Sequence, residues 1–292
     1  MSTYTKQQGF TLIELMIALV ISSIMISVAV SQLMQSRKTY YVQEADSRLE
    51  ENARYALDIL RDNVKMAGYV DTSVGIPDVP LGQFYNGDCA GDFTTCTDDG
   101  DDDANESDHF AVWLNPSPDG TGQELTCSGV DIGAAFYDAS IVNLFYIESA
   151  NSINTLKCRS YTINASNNAA TFIAGSDQPL IEGIDRMHIL YGLADQSPSD
   201  PTPERYVSAA TINALGNPTS GSNLKLPWAS VSSIRIILLA GTGFNDGSDL
   251  VDSRTFSLGD AEPFIPTDNA GAYDYNRRKV FSSTMVINNA SL

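Results

Sequence analysis

From Met66 to Leu156 the chain contains no lysine or arginine. Over 292 residues, 17 basic side chains stand against 36 acidic ones, a net charge of −19. Nucleic acid binding is driven by Lys and Arg neutralising phosphates, so this balance argues against a nucleic acid partner. The one basic cluster, Arg277-Arg278-Lys279, reads as a solvated strand end. Histidine is almost missing: His109 and His188 are the two present, and each reads as a packed or solvent-facing residue. The four cysteines have no CxxC spacing and only His109 near them, which disfavours zinc. No glycine-rich phosphate loop or nucleophile elbow occurs, and two distant histidines give a Ser-His-Asp site no positive support. These absences point away from an enzyme and call for no cofactor or metal.

Charge is also missing from Phe10 to Val30, with one exception, Glu14. About 21 residues at 1.5 Å each cover roughly 31 Å, enough to cross a bilayer core. A carboxylate at membrane depth is expensive and marks a functional position by default. An ordinary secretory signal places a small-residue cleavage site after its apolar run. Here none follows, and Gln32 to Lys38 reads as a continuing helix. The small residue available for cleavage is Gly9, ahead of the run, so the run would be retained. Lys6 on one side and Arg37-Lys38 on the other leave the orientation open by charge alone.

The motif Gly9-Phe10-Thr11-Leu12-Ile13-Glu14-Leu15 resembles the type IV prepilin signal. That resemblance implies cleavage after Gly9 by a prepilin peptidase and N-methylation of Phe10. Glu14 becomes the fifth mature residue, which in the family pairs with the N-terminal amine of a neighbouring subunit. An opposite charge at short range offsets the cost of burying a carboxylate, so the pairing is physically reasonable. Ser23, Ser27 and Ser31 repeat every four residues, a spacing that permits close helix approach or is merely tolerated. The helix-kinking proline common in the family's major subunits is absent here.

Proline and glycine are missing again between Leu33 and Ala67. Tyr41, Ala45, Leu49, Ala53, Ala56, Leu60, Val64 and Ala67 recur at spacings of three or four, one helical face. Gly68 fits a C-cap, with Lys65 favourable in the last turn. The spacing thus predicts one helix from Phe10 to about Ala67, roughly 87 Å long. Tyr69 to about Asp108 reads as loop, including the acidic run from Asp98 to Glu106. An EF-hand starting at Asp99 would need glycine and glutamate where Ala104 and Phe110 stand, so a solvated acidic loop is the better reading. Strands are expected at Phe110–Leu114, Ile141–Ile147, Thr155–Ile163, Val231–Leu239 and Lys279–Ile287. Leu180–Tyr191 reads as a turn or short helix leading into a strand, followed by a proline-rich loop from Asp195 to Pro203. The expected fold class is α+β, pilin-like: a long N-terminal helix packed on a mainly antiparallel sheet. The expected organisation is a leader over 1–9, a helix over 10–67 with its transmembrane half at 10–33, and a β-rich domain over 68–292.

The body resembles the PilW-like minor pilins in ordered pieces. They are Arg48 to Leu57, Met66-Ala67-Gly68-Tyr69, Leu156 to Arg159, Leu190-Tyr191-Gly192, Arg205-Tyr206-Val207, Trp228 with Val231 and Ile234 to Ile236, and Arg277 to Thr284. The resemblance implies a non-enzymatic subunit that helps start pilus assembly and sits at or near the fibre tip. It implies a single-pass inner-membrane precursor and then a place in the surface fibre. Expected partners are other minor pilins, the major pilin, a tip adhesin and the prepilin peptidase. In an exported domain the cysteines are expected as Cys89–Cys96 and Cys127–Cys158 disulfides. Two other readings are a minor pseudopilin of a type II secretion system and a tip module binding a ligand through the acidic loop.

Overall fold

With no glycine or proline to interrupt it, the N-terminal part of the chain forms one helix, α1 (Leu12–Met66), in a computed structural model. The structure describes residues 9–70, 83–89, 93, 95–100, 107–115, 126–130, 140–150, 153–163, 169–194, 202–215, 227–242, 253–266 and 276–289. The leader residues 1–8, the acidic residues 101–106 and the loop residues 195–201 lie outside these. Thr11 caps α1 in extended conformation, its hydroxyl and carbonyl both accepting from the Glu14 amide. At the other end Lys65 sits in the last turn, and Gly68 adopts φ +70, a left-handed turn that favours glycine. That turn delivers the Gly68 amide to the Trp113 carbonyl at 2.8 Å and starts the β-domain.

Among the described residues ten strands form two sheets. The first contains β1 (Tyr69–Val70), β2 (Phe110–Asn115), β3 (Ser140–Ala150), β4 (Ile153–Ile163), β5 (Ala170–Phe172) and β6 (Gln178–Glu182). β1 pairs in parallel with β2, and the remaining pairs are antiparallel. The second contains β7 (Ile184–Ala194), β8 (Pro203–Val207), β9 (Val231–Gly241) and β10 (Arg278–Val286), in the order β10-β9-β7-β8, all antiparallel. A short helix, α2 (Ala209–Ala214), follows β8. The α+β class is as the sequence indicates, but the strands divide between two sheets instead of joining one.

Gly183 makes that division. Leu180–Tyr191 is neither a turn nor a helix before one strand; it is the end of β6, a glycine at φ +82, and most of β7. The Gly183 amide donates to the Asn154 carbonyl of the first sheet at 2.8 Å. Its carbonyl accepts from Gly241 of the second, also at 2.8 Å. A Cβ at Gly183 would lie 2.7 Å from the Gly241 carbonyl, so the close approach admits only glycine.

The buried face of α1 carries Leu49, Ala53, Ala56, Leu60 and Val64, and small alanines there let the sheets come close. They meet Val112 and Leu114 of β2, Phe145 of β3, Leu156 of β4, and Ile234, Ile236 and Leu238 of β9 in one core. The outer face of the first sheet is covered by Tyr85, Cys89 and Cys96, which pack on Ala111, Trp113, Val142 and Tyr161. Phe256 and Leu258 cover Ile237 and Leu239 of the second. Disulfides join Cys89 to Cys96, closing the first cover, and Cys127 to Cys158, tying a loop to β4. The segment before Asp108 is thus more than loop. It holds β1, and Phe84 bridges to Val112 in a single β-type pairing.

Candidate functional site

Two parts of the molecule could act on other molecules: the free half of α1, and the charged clusters of the β-domain. The apolar stretch at the start of α1 is not buried by any of the described residues. Phe10 is 85% exposed, and Leu12, Ile13, Leu15, Met16, Ile17, Leu19 and Val20 follow it in exposure. Exposed apolar area of this size needs a membrane or a protein cover. Glu14 lies in the first turn with its carboxylate exposed, ready for a partner from outside the chain. A side chain at Gly9 would meet nothing within 4 Å, so the fold itself does not require glycine there. The serines in this stretch are internally satisfied. Ser22, Ser23, Ser27 and Ser31 donate to the carbonyls of Ala18, Val20, Ile24 and Val28 at 2.7–2.8 Å, which removes the cost of carrying hydroxyls into an apolar medium.

The outer half of α1 is fastened to the β-domain by polar contacts as well as by the core. Arg277 makes a two-pronged pair with Asp46, both bonds at 3.1 Å. Lys279 reaches Glu50 at 2.7 Å and holds its carboxyl below the usual range. Asn52 donates to the Glu182 carbonyl at 3.1 Å, and Asn289 to the Ala67 carbonyl at 3.1 Å. Arg278 turns the other way and pairs with Asp185 at 2.5 Å, their side chains 6% and 7% exposed. The basic cluster is therefore a fastening, not a solvated strand end. Acid partners distant in the chain arrive beside it only on folding.

His188 is neither a plain core residue nor a solvent-facing one. Its Nδ1 lies 2.9 Å from Asp108 and its Nε2 2.9 Å from Asp260. Both nitrogens face carboxylates, so both donate and the ring is a cation. Burial works against that charge, but the bonds and charges of Asp108 and then Asp260 outweigh it and push His188 up to about 9. A folded value above the unfolded one gives stability that is complete below about pH 6.5 and lost as pH rises through about 9. The stability difference between the wild-type chain and His188→Gln should therefore shrink by about 3 kcal/mol between pH 6.5 and pH 9.5. Denaturant titrations of the full chain in detergent at the two pH values check this, and a difference that does not shrink refutes it. His109 packs on Phe93 with ring centres 4.4 Å apart.

The described members of the acidic segment are engaged inside the fold. Asp98 accepts from the Asp99 amide at 3.0 Å and from the Thr95 hydroxyl at 2.7 Å. Asp99 accepts from the amides of Ala209 and Ala210, both at 2.8 Å, at the start of α2. Burial nevertheless pushes its carboxyl up. Asp108 accepts from Gly100 at 3.2 Å and from Ile189 at 2.7 Å, besides His188. Asp99 and Asp108 hold distant segments together and Asp98 is engaged locally, while the solvated-loop reading of residues 101–106 lies outside the described residues. Among the described residues no group of three or more His, Cys, Asp or Glu is placed to hold a metal ion. On the first sheet, Lys157 lies 3.0 Å from both Glu148 and Asp177, and Arg159 lies 2.8 Å from Asp177. Burial and a bond to Asp177 push the Tyr146 hydroxyl up to about 12. That cluster, too, is neutralised from within.

Asp98 and Asp99 open an acidic run visible in the sequence, but the distant partners of Asp99, Asp108 and Arg278 give no signal in sequence spacing. Gly9, Phe10 and Glu14, by contrast, share one end of one helix by chain order alone. A family model described as type IV pilus-assembly protein W matches residues 144–289, half of the chain. A second, the prokaryotic N-terminal methylation motif, matches residues 4–30. No curated protein matches. A type IV-like pilin from Thermus thermophilus is similar among solved structures, with 12% identity and a TM-score of 0.40. The alignment covers 83% of this chain and 98% of that one.

Proposed function

Because the chain belongs to the type IV pilus-assembly protein W family and opens on a methylation motif, we propose that it is a minor pilin that primes assembly and stays at or near the fibre tip. The carrying observation is the membrane-length apolar half of α1, uncovered by any described residue yet continuous with the half that anchors it. In this reading a prepilin peptidase cuts after Gly9 and Phe10 becomes the methylated N-terminus. Other minor pilins and the major pilin cover the exposed face, and a tip adhesin is a further partner. Before assembly the same face sits in the inner membrane. The family is one of pilus-assembly proteins, which supports a structural subunit over an enzyme.

Glu14 has the geometry for subunit pairing. It is one helical turn from the new N-terminus, and its exposed carboxylate can meet a neighbour's amine when both enter an apolar surrounding. Of the acidic segment, Asp98, Asp99 and Asp108 already have internal partners and are poor candidates for a ligand-binding tip module.

The test is Gly9→Val in cells. The expected result is a precursor that retains its nine leader residues by mass and surface pili reduced to background. Intact piliation with loss of enzyme secretion would instead mark a type II secretion pseudopilin.

A further inference from the structure

The second sheet has two unlike edges. β8 is five residues long, begins with Pro203, and its register slips between Leu193 and Ala194 of its neighbour. Those are devices that blunt an edge against further pairing. β10 has none of them: it pairs with β9 over nine residues, Arg278↔Gly241 to Val286↔Ser233, with no shift. It carries no proline, and from Val280 to Val286 no charge.

The direction of its backbone groups can be read from the flanking bonds. Thr242 donates to the Arg277 carbonyl and Ile287 to the Ser232 carbonyl. In an antiparallel ladder bonded pairs alternate with unbonded ones, so the odd-numbered residues of β10 bond to β9. The even-numbered ones turn their amides and carbonyls to the open side. At one end Arg254 closes that side by donating to the Arg278 carbonyl. Beyond it lie Val280, Ser282, Thr284 and Val286, exposed, and no described strand pairs there.

We propose that this edge receives an extended strand from a different subunit of the pilus, by β-augmentation. The proposal rests on the pilus reading above. The occupant follows from strand direction. α1 meets β10 through Asp46–Arg277, Glu50–Lys279 and Arg61–Ser283, so helix and strand run the same way. Pairing β10 with its copy in the antiparallel manner of this sheet would point the two membrane helices in opposite directions. Subunits threaded through one membrane share one direction. The blunted β8 edge is a poor counterpart. The fitting strand runs opposite to its own membrane helix and presents small or β-branched, uncharged side chains to Val280, Ser282, Thr284 and Val286. β10 also lies alongside the helix whose exposed half other subunits must cover, so the edge continues that interface.

Ser282→Pro tests this in cells, because it removes an amide that faces the edge and leaves the bonds to β9 intact. The expected result is an unchanged melting temperature of the full chain in detergent with surface piliation down about tenfold. Wild-type piliation overturns the proposal. Should Ser282→Pro fail to fold, Ser282→Cys decides. Thiol cross-linking in isolated membranes is expected to join it to a second pilin subunit, through a residue in an extended segment identified by mass spectrometry. A product of twice this chain's mass, or none, overturns it. Glu14→Ala run in parallel separates the two failures. If it too leaves piliation normal, the pilus role is wrong; if it abolishes piliation and the edge variants do not, the edge proposal alone is wrong.

Discussion

Replacing Glu14 with alanine is expected to reduce surface pili by about a hundredfold or more while the β-domain keeps its stability. Glu14 lies in the first turn of α1, exposed and remote from every core residue. Its removal therefore costs the monomer nothing in packing. In the proposed fibre the same position would enter an apolar interface, where the partner amine would lose its counter-charge. Breaking a buried ion pair by removing one member costs about 3–5 kcal/mol. At about 1.4 kcal/mol per factor of ten, that is two to three orders of magnitude in subunit association. Counting filaments by electron microscopy, with immunoblots for the chain in membranes, separates lost assembly from lost protein. Wild-type filament numbers would overturn the pilus role together with Glu14's part in it.

The largest stability effect is expected at the opposite end of the chain. Arg278→Met should destabilise the protein by about 3–5 kcal/mol, because it leaves the Asp185 carboxylate buried without its cation. Asp185 also accepts from Asn154 at 3.3 Å, and Arg278 lies over the Phe264 ring, so the pair joins β7, β10 and the segment that covers them. Adding Asp185→Leu should restore much of the loss, since a well-packed apolar pair replaces a buried ion pair with little penalty. Chemical denaturation of the two variants and the wild type would show the partial rescue; a double variant as unstable as the single one would contradict it. Lys279→Ala gives a contrasting case. Its pair with Glu50 is half-exposed, and a solvent-screened surface pair contributes little to stability.

The long helix was legible because its signals are local. The uninterrupted chain from Leu33 to Ala67, the repeat from Ala45 to Val64 and the turn at Gly68 all lie within a few residues of what they specify. The strands at Phe110, Ile141, Thr155, Val231 and Lys279 were legible for the same reason, through β-branched and aromatic runs. Less local features were not. Gly183 is one glycine among 21 in the sequence, and only its approach to Gly241 shows it as the crossing between sheets. Arg277, Arg278 and Lys279 look like a solvated cluster until Asp46, Asp185 and Glu50 arrive beside them. His188 similarly depends on Asp108 and Asp260.

By itself, then, the sequence determined the object at the N-terminus: Gly9 and Phe10 just ahead of one continuous helix and Glu14 in its first turn, the helix having an apolar half and an amphipathic half. Helical periodicity translates chain order directly into position, so no partner is needed to read it. Tertiary structure alone decided how strands divide between two sheets, which charges are spent inside the fold, and which edge is left open. Those depend on residues far apart in the chain, brought together only when burial and backbone pairing outweigh the entropy of closing the loops between them.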